Sequence, residues 1–317
     1  MSTRIKLLAL IALCCIFIAL FMSYNLGGNL SYILEKRSIR LFTMLVVGIS
    51  IACSSIIFQT ITTNRILTPS IMGYESIFIL FQTLIVFIYG DHSFQVINQQ
   101  ENFFYAIILM LVFSLFIYLL IFGQHSRGMY HLLLTGMVMG TLFQTISQFI
   151  HVLIDPNEFS IIQNFMFVSF SKMNSNLLLI ASIIMFIAIG YAFYLSRYLD
   201  VLALGKEHAI NLGVNYDRLI KQLLIIISLL VSVSTALVGP ITFLGILVCN
   251  LTYELFPTRK HRHMLLLCSL IACICLIMGQ FLVEHIFQFS TSVSIIINFV
   301  GALYFMYLLW KTRKRIS

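Results

Sequence analysis

Few side chains in this chain could do chemistry, and their spacing narrows what that chemistry is. Gly205-Lys206 is its one glycine–lysine pair, but Glu207 follows and Asp200 stands where an upstream glycine would have to be. The phosphate-cradling loop of nucleotide hydrolases, G-x-x-x-x-G-K-[ST], is therefore absent. No His-Glu-x-x-His, Gly-x-Ser-x-Gly or Cys-x-x-Cys pattern occurs. His261-Arg262-His263 sets two imidazoles close together, yet no carboxylate or thiolate stands near them in sequence, so a solvated cationic loop is expected and not a metal site. Glu75 is the one acid well inside an apolar run, at a first-turn position where the helix dipole favours it. His131, His151 and Glu284 fall at the ends of apolar runs. Carriers that move ions through a bilayer need intramembrane acids or bases, and those are nearly missing. The chain is thus expected not to be an enzyme and to hold no metal. If it moves solute uphill, the energy comes from another polypeptide.

The remaining polar residues suggest binding. Residues 197–219 place Gly205 and Gly213 around a turn or two of helix, with Leu204, Ala209 and Leu212 spaced as a small apolar face. Such a helix could dock in a partner's groove or lie on headgroups; the residues alone leave both open. Arg37 and Arg40, three apart, would share a helix face suited to bidentate capture of carboxylates, or of lipid phosphates. Ser54, Ser55, Gln59, Thr145, Gln148 and Asn250 are hydroxyl and amide groups placed within apolar runs. By position alone they could line a pathway, although hydrogen bonding between helices would use them equally.

These residues must be positioned by membrane helices. The chain has 317 residues, 60% apolar and 9% charged, with mean hydropathy +1.02. Soluble domains run near 45–50% apolar and about 25% charged, which excludes a water-soluble globular enzyme. Apolar runs give ten candidate spans near residues 5–23, 41–61, 71–90, 102–122, 130–151, 175–196, 220–238, 241–253, 264–283 and 292–310. The eighth is short and begins at Gly239-Pro240, so a broken or tilted segment is expected. The N-terminus (Arg4, Lys6, then an apolar run) resembles a secretory signal, but no small-x-small site follows, and a retained first helix is expected. With the N-terminus inside, fifteen of the 19 Lys and Arg residues fall on one side, and only Lys36, Arg37, Arg40 and Lys172 on the other. Both termini are then cytoplasmic. The basic balance (net charge +8, pI about 9.2) is spread over short loops and not gathered for nucleic acid. The loops at 24–40, 152–174 and 197–219 are too short to fold alone, so one membrane domain over 1–317 is expected. Cysteines 14, 15, 53, 249, 268, 273 and 275 lie in or beside apolar runs and read as small packing residues.

Four segments, in order, resemble the FecCD-type (BtuC-like) permease family, the membrane subunits of ABC importers for iron-siderophores, haem and vitamin B12. Asn64-Arg65-Ile66-Leu67-Thr68-Pro69-Ser70-Ile71-Met72-Gly73 is similar to the family's Asn-Pro-Leu-Ala-x-Pro-x-x-Leu-Gly. Leu202-Ala203-Leu204-Gly205-Lys206-Glu207-His208-Ala209-Ile210-Asn211-Leu212-Gly213-Val214 is similar to Leu-Ala-Leu-Gly-Glu-Glu-x-Ala-x-x-Leu-Gly-Val. Gly239-Pro240-Ile241-Thr242-Phe243-Leu244-Gly245-Ile246-Leu247-Val248 resembles Gly-x-Ile-x-Phe-Val-Gly-Leu-x-Val, and Gly301-Ala302 falls where the last span carries Gly-Ala-Pro.

The resemblance implies an all-α, ten-span permease of the type II importer kind in the bacterial cytoplasmic membrane, paired with a second permease around a central pathway. It implies a cytoplasmic ATPase dimer that uses the ATP, so that this chain needs no cofactor of its own. Leu204, Gly205, Lys206, Glu207, Leu212 and Gly213 become coupling-loop positions. A periplasmic or lipid-anchored siderophore-binding protein would meet Arg37 and Arg40 through its glutamates. The solute expected is a ferric siderophore of catecholate or mixed catecholate-hydroxamate type, as for ferric anguibactin. Haem or cobalamin is the alternative within the family, and an ion-coupled secondary transporter the alternative outside it. Departures bear on docking geometry and partner identity. The family's Arg-Leu-Pro-Arg reads Arg37-Ser38-Ile39-Arg40, Arg65 replaces a proline, Lys206 an acid, and Val-Pro-His reads Val248-Cys249-Asn250. Such divergence favours a heterodimer of unlike permeases.

Overall fold

A computed structural model describes residues 3–24, 30–90, 97–122, 129–170, 174–258 and 260–313. The side chains of Arg4, Arg127, Lys172, Arg259, Lys311, Arg313, Lys314 and Arg315, used for the sidedness reading, lie outside the described part. Among the described residues the chain forms α1 (Thr3–Ser23), α2 (Leu30–Thr62), a 3-10 turn (Pro69–Met72), α3 (Tyr74–Tyr89), α4 (Gln99–Phe122) and α5 (Met129–Leu153). It continues as α6 (Pro156–Met166), α7 (Ser175–Leu202), α8 (Lys206–Asn211), α9 (Tyr216–Val238), α10 (Leu244–Leu255), α11 (His261–His285) and α12 (Val293–Arg313).

The all-helical outcome follows from the solvent. Hydrocarbon offers backbone groups no partner, so an apolar run must satisfy them within itself. Among the described residues seven helices are long and apolar enough to cross a membrane, and Tyr74–Tyr89, Leu244–Leu255 and Val293–Tyr307 are shorter apolar helices. These coincide one for one with the ten expected spans.

Three boundaries differ from expectation. Helix α2 starts at Leu30 and not near 41, so the basic segment around Arg37 is helical. Helix α7 runs to Leu202, beyond the expected 196. The segment read as the loop 152–174 contains α6, whose start is built from Asp155, which accepts from the Asn157 amide, and Pro156 in the first turn. That capping pair was visible in the sequence.

Helix α2 is the pillar of the molecule. From Met44 to Thr62 it is buried on nearly every side, with Met44, Val47, Ala52, Cys53, Ile56, Ile57 and Phe58 wholly enclosed. Helices α7, α9, α10 and α11 pack around it. Lipid supplies no hydrophobic drive between helices, so close approach depends on small residues. A Cβ on Gly48 would stand 3.3 Å from the Cys273 amide nitrogen of α11. All seven cysteines are free thiols. A buried hydroxyl cluster ties α3, α4 and α9 together: the Tyr74 hydroxyl bonds Ser114 at 2.8 Å and Ser228 at 2.7 Å, and the two serines also bond each other.

Two interruptions shape the interior. Helix α9 ends at Gly239, whose φ of +98° suits glycine and whose successor Pro240 cannot continue a helix. The other is Gly73 (φ +87°), between the 3-10 turn and α3. Helix α5 crosses there glycine on glycine: a Cβ on Gly73 would lie 2.7 Å from the Gly140 Cα, and one on Gly140 2.9 Å from the Gly73 Cα. Gly140→Ala is expected to cost about 1–3 kcal/mol by overpacking, read as a lowered unfolding midpoint of the detergent-purified protein. A midpoint equal to the parent's would contradict the close crossing.

Candidate functional site

Helix α5 carries an exposed polar face. Thr141, Gln144, Thr145 and Gln148, at spacing i, i+3, i+4, i+7, are all exposed and lie on one side. About a third of a turn away, Leu142, Ile146 and Phe149 are exposed in the manner of a lipid-facing surface. Thr141 and Thr145 bond carbonyls of their own helix, at 2.8 Å to Val138 and 2.8 Å to Thr141. The two glutamine amides reach no described residue. Thr141, Gln144 and Gln148 line a cleft of about 520 Å³ between α3, α5 and α6, together with Ser70, Glu75, Ser76, His151 and Thr242.

The six residues considered for a pathway fall into three pairs. Thr145 and Gln148 are on this open face. Ser54 and Ser55 are buried on α2 and border a much smaller void. Gln59 and Asn250 both donate to the Arg65 carbonyl, at 2.8 and 3.1 Å, and so hold the segment leading into Pro69. Sequence position could not separate these environments, because all six sit in apolar runs.

Helix α8 forms the second feature. Gly205 (φ +101°) and Gly213 (φ +81°) close its two ends, and neither has other atoms near enough to hinder a Cβ. Ala209 is wholly buried and faces the bundle, whereas Leu204, Ile210 and Leu212 are 59%, 49% and 63% exposed. The apolar face expected from Leu204, Ala209 and Leu212 is therefore split. Ala209 anchors the helix, and the three larger side chains project away from the chain. Lys206 lies over the Tyr216 ring at 5.3 Å, and Glu207 is exposed.

At the opposite end the expected outward pair of guanidiniums is turned inward. Arg37 is buried and donates from Nη1 to the carbonyls of Phe21, Met22 and Tyr24 at 3.1, 3.3 and 2.7 Å. It thereby caps the C-terminus of α1, where orphan carbonyls and the helix dipole favour a cation. Arg40 meets Glu284 of α11 at 3.0 Å, and Gln280 donates to the same carboxylate at 2.7 Å. Lys36 alone of the three is fully exposed.

His261 corrects another expectation. Only Arg262 and His263 are exposed; His261 is buried. Its backbone amide and Nδ1 both meet Asp200 Oδ1 at 2.7 Å, and Nε2 lies 3.0 Å from the Thr60 hydroxyl. The ring joins the ends of α2, α7 and α11. No sequence signal marks this contact, since its partners are 61 and 201 residues away. Among the described residues no three His, Cys, Asp or Glu side chains come together as metal ligands do.

Comparison with known proteins places this geometry. Residues 7–311 match the FecCD transport family. The chain is 46% identical over 314 residues to the petrobactin import system permease protein YclO of Bacillus subtilis (strain 168), covering 99% of each. It is 31% identical over 281 residues to the petrobactin import system permease protein FatC of Bacillus anthracis, covering 89% of this chain and 79% of that one. Its fold matches a metal-chelate type ABC transporter solved in an inward-facing conformation, with TM-score 0.85, 21% identity and coverage of 97% and 99%.

The Arg40–Glu284 pair yields a direct test. The Glu284 side chain is 6% exposed and that of Arg40 23%. Arg40→Ala strands a buried carboxylate and is expected to cost about 1–3 kcal/mol. Removing both charges should recover much of that loss. A double-mutant cycle on unfolding midpoints measures it, and strictly additive losses would contradict the pairing.

Proposed function

Because the chain belongs to the FecCD transport family, we propose that it is the multi-pass permease subunit of an ATP-driven importer, and that its solute is a ferric siderophore of the petrobactin type. The two relatives named for petrobactin import, one of them matched over nearly its full length, support this solute over haem or cobalamin. Both names favour petrobactin over the anguibactin type as the solute.

One observation carries the mechanism: the exposed amide-and-hydroxyl face of α5, its two glutamine amides without a described partner, over a cleft of about 520 Å³. An amide facing hydrocarbon costs several kcal/mol, so this face belongs against water or another subunit. A second permease presenting a similar face would enclose a hydrophilic path, and Thr145 and Gln148 belong to its wall. Departures from the family pattern favour an unlike second permease. The importer sits in the bacterial cytoplasmic membrane with both termini inside.

Energy enters at α8. A buried anchor at Ala209 with three exposed apolar side chains beside it is how a short helix grips a groove on a partner. The partner is the ATPase dimer, and Leu204, Gly205, Lys206, Glu207, Leu212 and Gly213 are its contact segment. The chain then needs no cofactor, since ATP is spent by that partner. A siderophore-binding protein docks at the Arg40 end, where Lys36 and the exposed edge of Arg40 face outward. Arg37 supports that surface from beneath by fixing α1 to α2. Loading outside and nucleotide inside bias one equilibrium between inward- and outward-open states, and their coupling is reciprocal.

The test is uptake of radiolabelled ferric petrobactin by cells in which this chain replaces the native permease, beside its ATPase, second permease and binding protein. Leu212→Asp is expected to lower uptake and ATPase co-purification about tenfold or more, the loss of a central apolar contact, with little change in the unfolding midpoint because most of the side chain is exposed. Full uptake with Leu204→Asp and Leu212→Asp combined would refute the coupling assignment. Concentrative uptake by this chain alone in liposomes would refute the importer reading.

A further inference from the structure

The coupling and pathway roles leave Glu75 unused. Its two carboxylate oxygens are held by hydroxyl donors from different elements, Ser70 to Oε1 and Thr242 to Oε2, each at 2.7 Å. Two hydroxyl donors can support an ionised carboxylate at this position. Yet no basic side chain among the described residues pairs with it, the only ion pairs there being Arg40–Glu284 and His261–Asp200. His151, the other titratable group on the same cleft, is bonded to Thr83. An uncompensated charge inside a bilayer is costly, so something must neutralise it, a proton on the acid itself or a bound cation.

The neighbouring space has the size and chemistry for that something. Glu75 separates the large cleft from a void of about 20 Å³ bordered by Ser54, Ser55, Ser234, Thr235 and Gly239 and, on its apolar side, by Ile51, Val231 and Ile241. A void needs roughly 10–15 Å³ to hold one water-sized particle, so this one takes a single occupant. Ser55 and Thr235 are 2% and 4% exposed, border the void, and have no hydrogen-bond partner among the described residues. The void also lies where α9 breaks at Gly239, the kind of interruption at which backbone carbonyls can face an ion; those of Thr235 and Val238 already accept the Gly239 and Ser169 amides.

We propose that Glu75, Ser55 and Thr235, with the backbone at the Gly239 break, form a binding site for one sodium-sized monovalent cation, reached from the cleft past Glu75. The donor set is entirely hard oxygen, which suits such an ion and not a transition metal. Calcium needs six to eight oxygens and magnesium retains several waters; neither fits a one-particle void. The ion would neutralise the carboxylate and bridge α2, α3 and α9 at the point where both helix breaks meet, making the breaks rigid while it is bound.

The test reads stability and not transport, so it fails or succeeds independently of the importer reading. The purified full-length protein is unfolded by heat in NaCl, KCl or choline chloride at matched ionic strength. The expected result is a saturable rise of the midpoint by several degrees in sodium over choline, with a smaller response to potassium. Glu75→Gln should abolish the sodium response, and Ser55→Ala should raise the half-saturating sodium concentration about tenfold, a loss of one ligand. Equal midpoints for the parent in sodium and choline would overturn the proposal, leaving Glu75 as a neutral acid beside a water. A sodium response that survives Glu75→Gln, or one matched by potassium, would overturn it equally. Should Glu75→Gln fail to fold, the parent titration and Ser55→Ala decide the matter.

Discussion

Polar groups cannot face hydrocarbon unpartnered, and this constraint organises the molecule. It makes every span a helix, and it forces the hydroxyls of Tyr74, Ser114 and Ser228 into mutual contact in the core. It also turns Arg37 inward onto the loose carbonyls of α1. Most polar groups obey it with partners of their own chain. The two glutamines of the α5 face do not, and the proposed pathway is read from that exception. Gln144 and Gln148 make sense once a second protein surface and water stand opposite them.

The architecture that presents this face is a pillar with two interruptions. Helix α2 is buried over most of its length and so supplies a fixed frame against which α7, α9, α10 and α11 pack. The breaks at Gly73 and Gly239 lie beside that frame and shorten α3 and α10. Glu75 sits between them, hydrogen-bonded to the 3-10 turn on one side and to Thr242 on the other. Glycine at Gly73 and Gly140 lets α5 cross directly over the first break. The wall of the cleft is thus mechanically joined to an interruption, and a rearrangement at that break would move the wall. At the far end Asp200, His261 and Thr60 tie α2 to α7, the helix that leads into α8.

What could be read from the sequence was whatever hydrocarbon imposes on a run of residues. The ten spans, the break at Gly239-Pro240 and the short helix between Gly205 and Gly213 all follow from local pattern. The start of α2 was hidden because Lys36, Arg37 and Arg40 look like a loop until Arg37 is seen capping another helix. Helix α6 is legible from Asp155-Pro156, although the segment 152–174 reads as a loop by its lack of a long apolar run. His261 was not legible at all, since its burial depends on partners in two other helices. The pathway candidates show the same limit: Gln59 and Gln148 are both amides in apolar runs, and only packing separates a loop anchor from an open wall.

The central claim, that the α5 face lines a water-filled path and not lipid, is tested most directly by thiol labelling in the assembled importer. With the exposed Cys15 replaced by serine, Gln148→Cys and Phe149→Cys are compared under a membrane-impermeant thiol reagent. The account predicts rapid labelling at position 148, with uptake blocked by the modification, and little labelling at 149, although Phe149 is 67% exposed in the isolated chain. Equal labelling at both positions, or protection of 148 in every transport state, would contradict it.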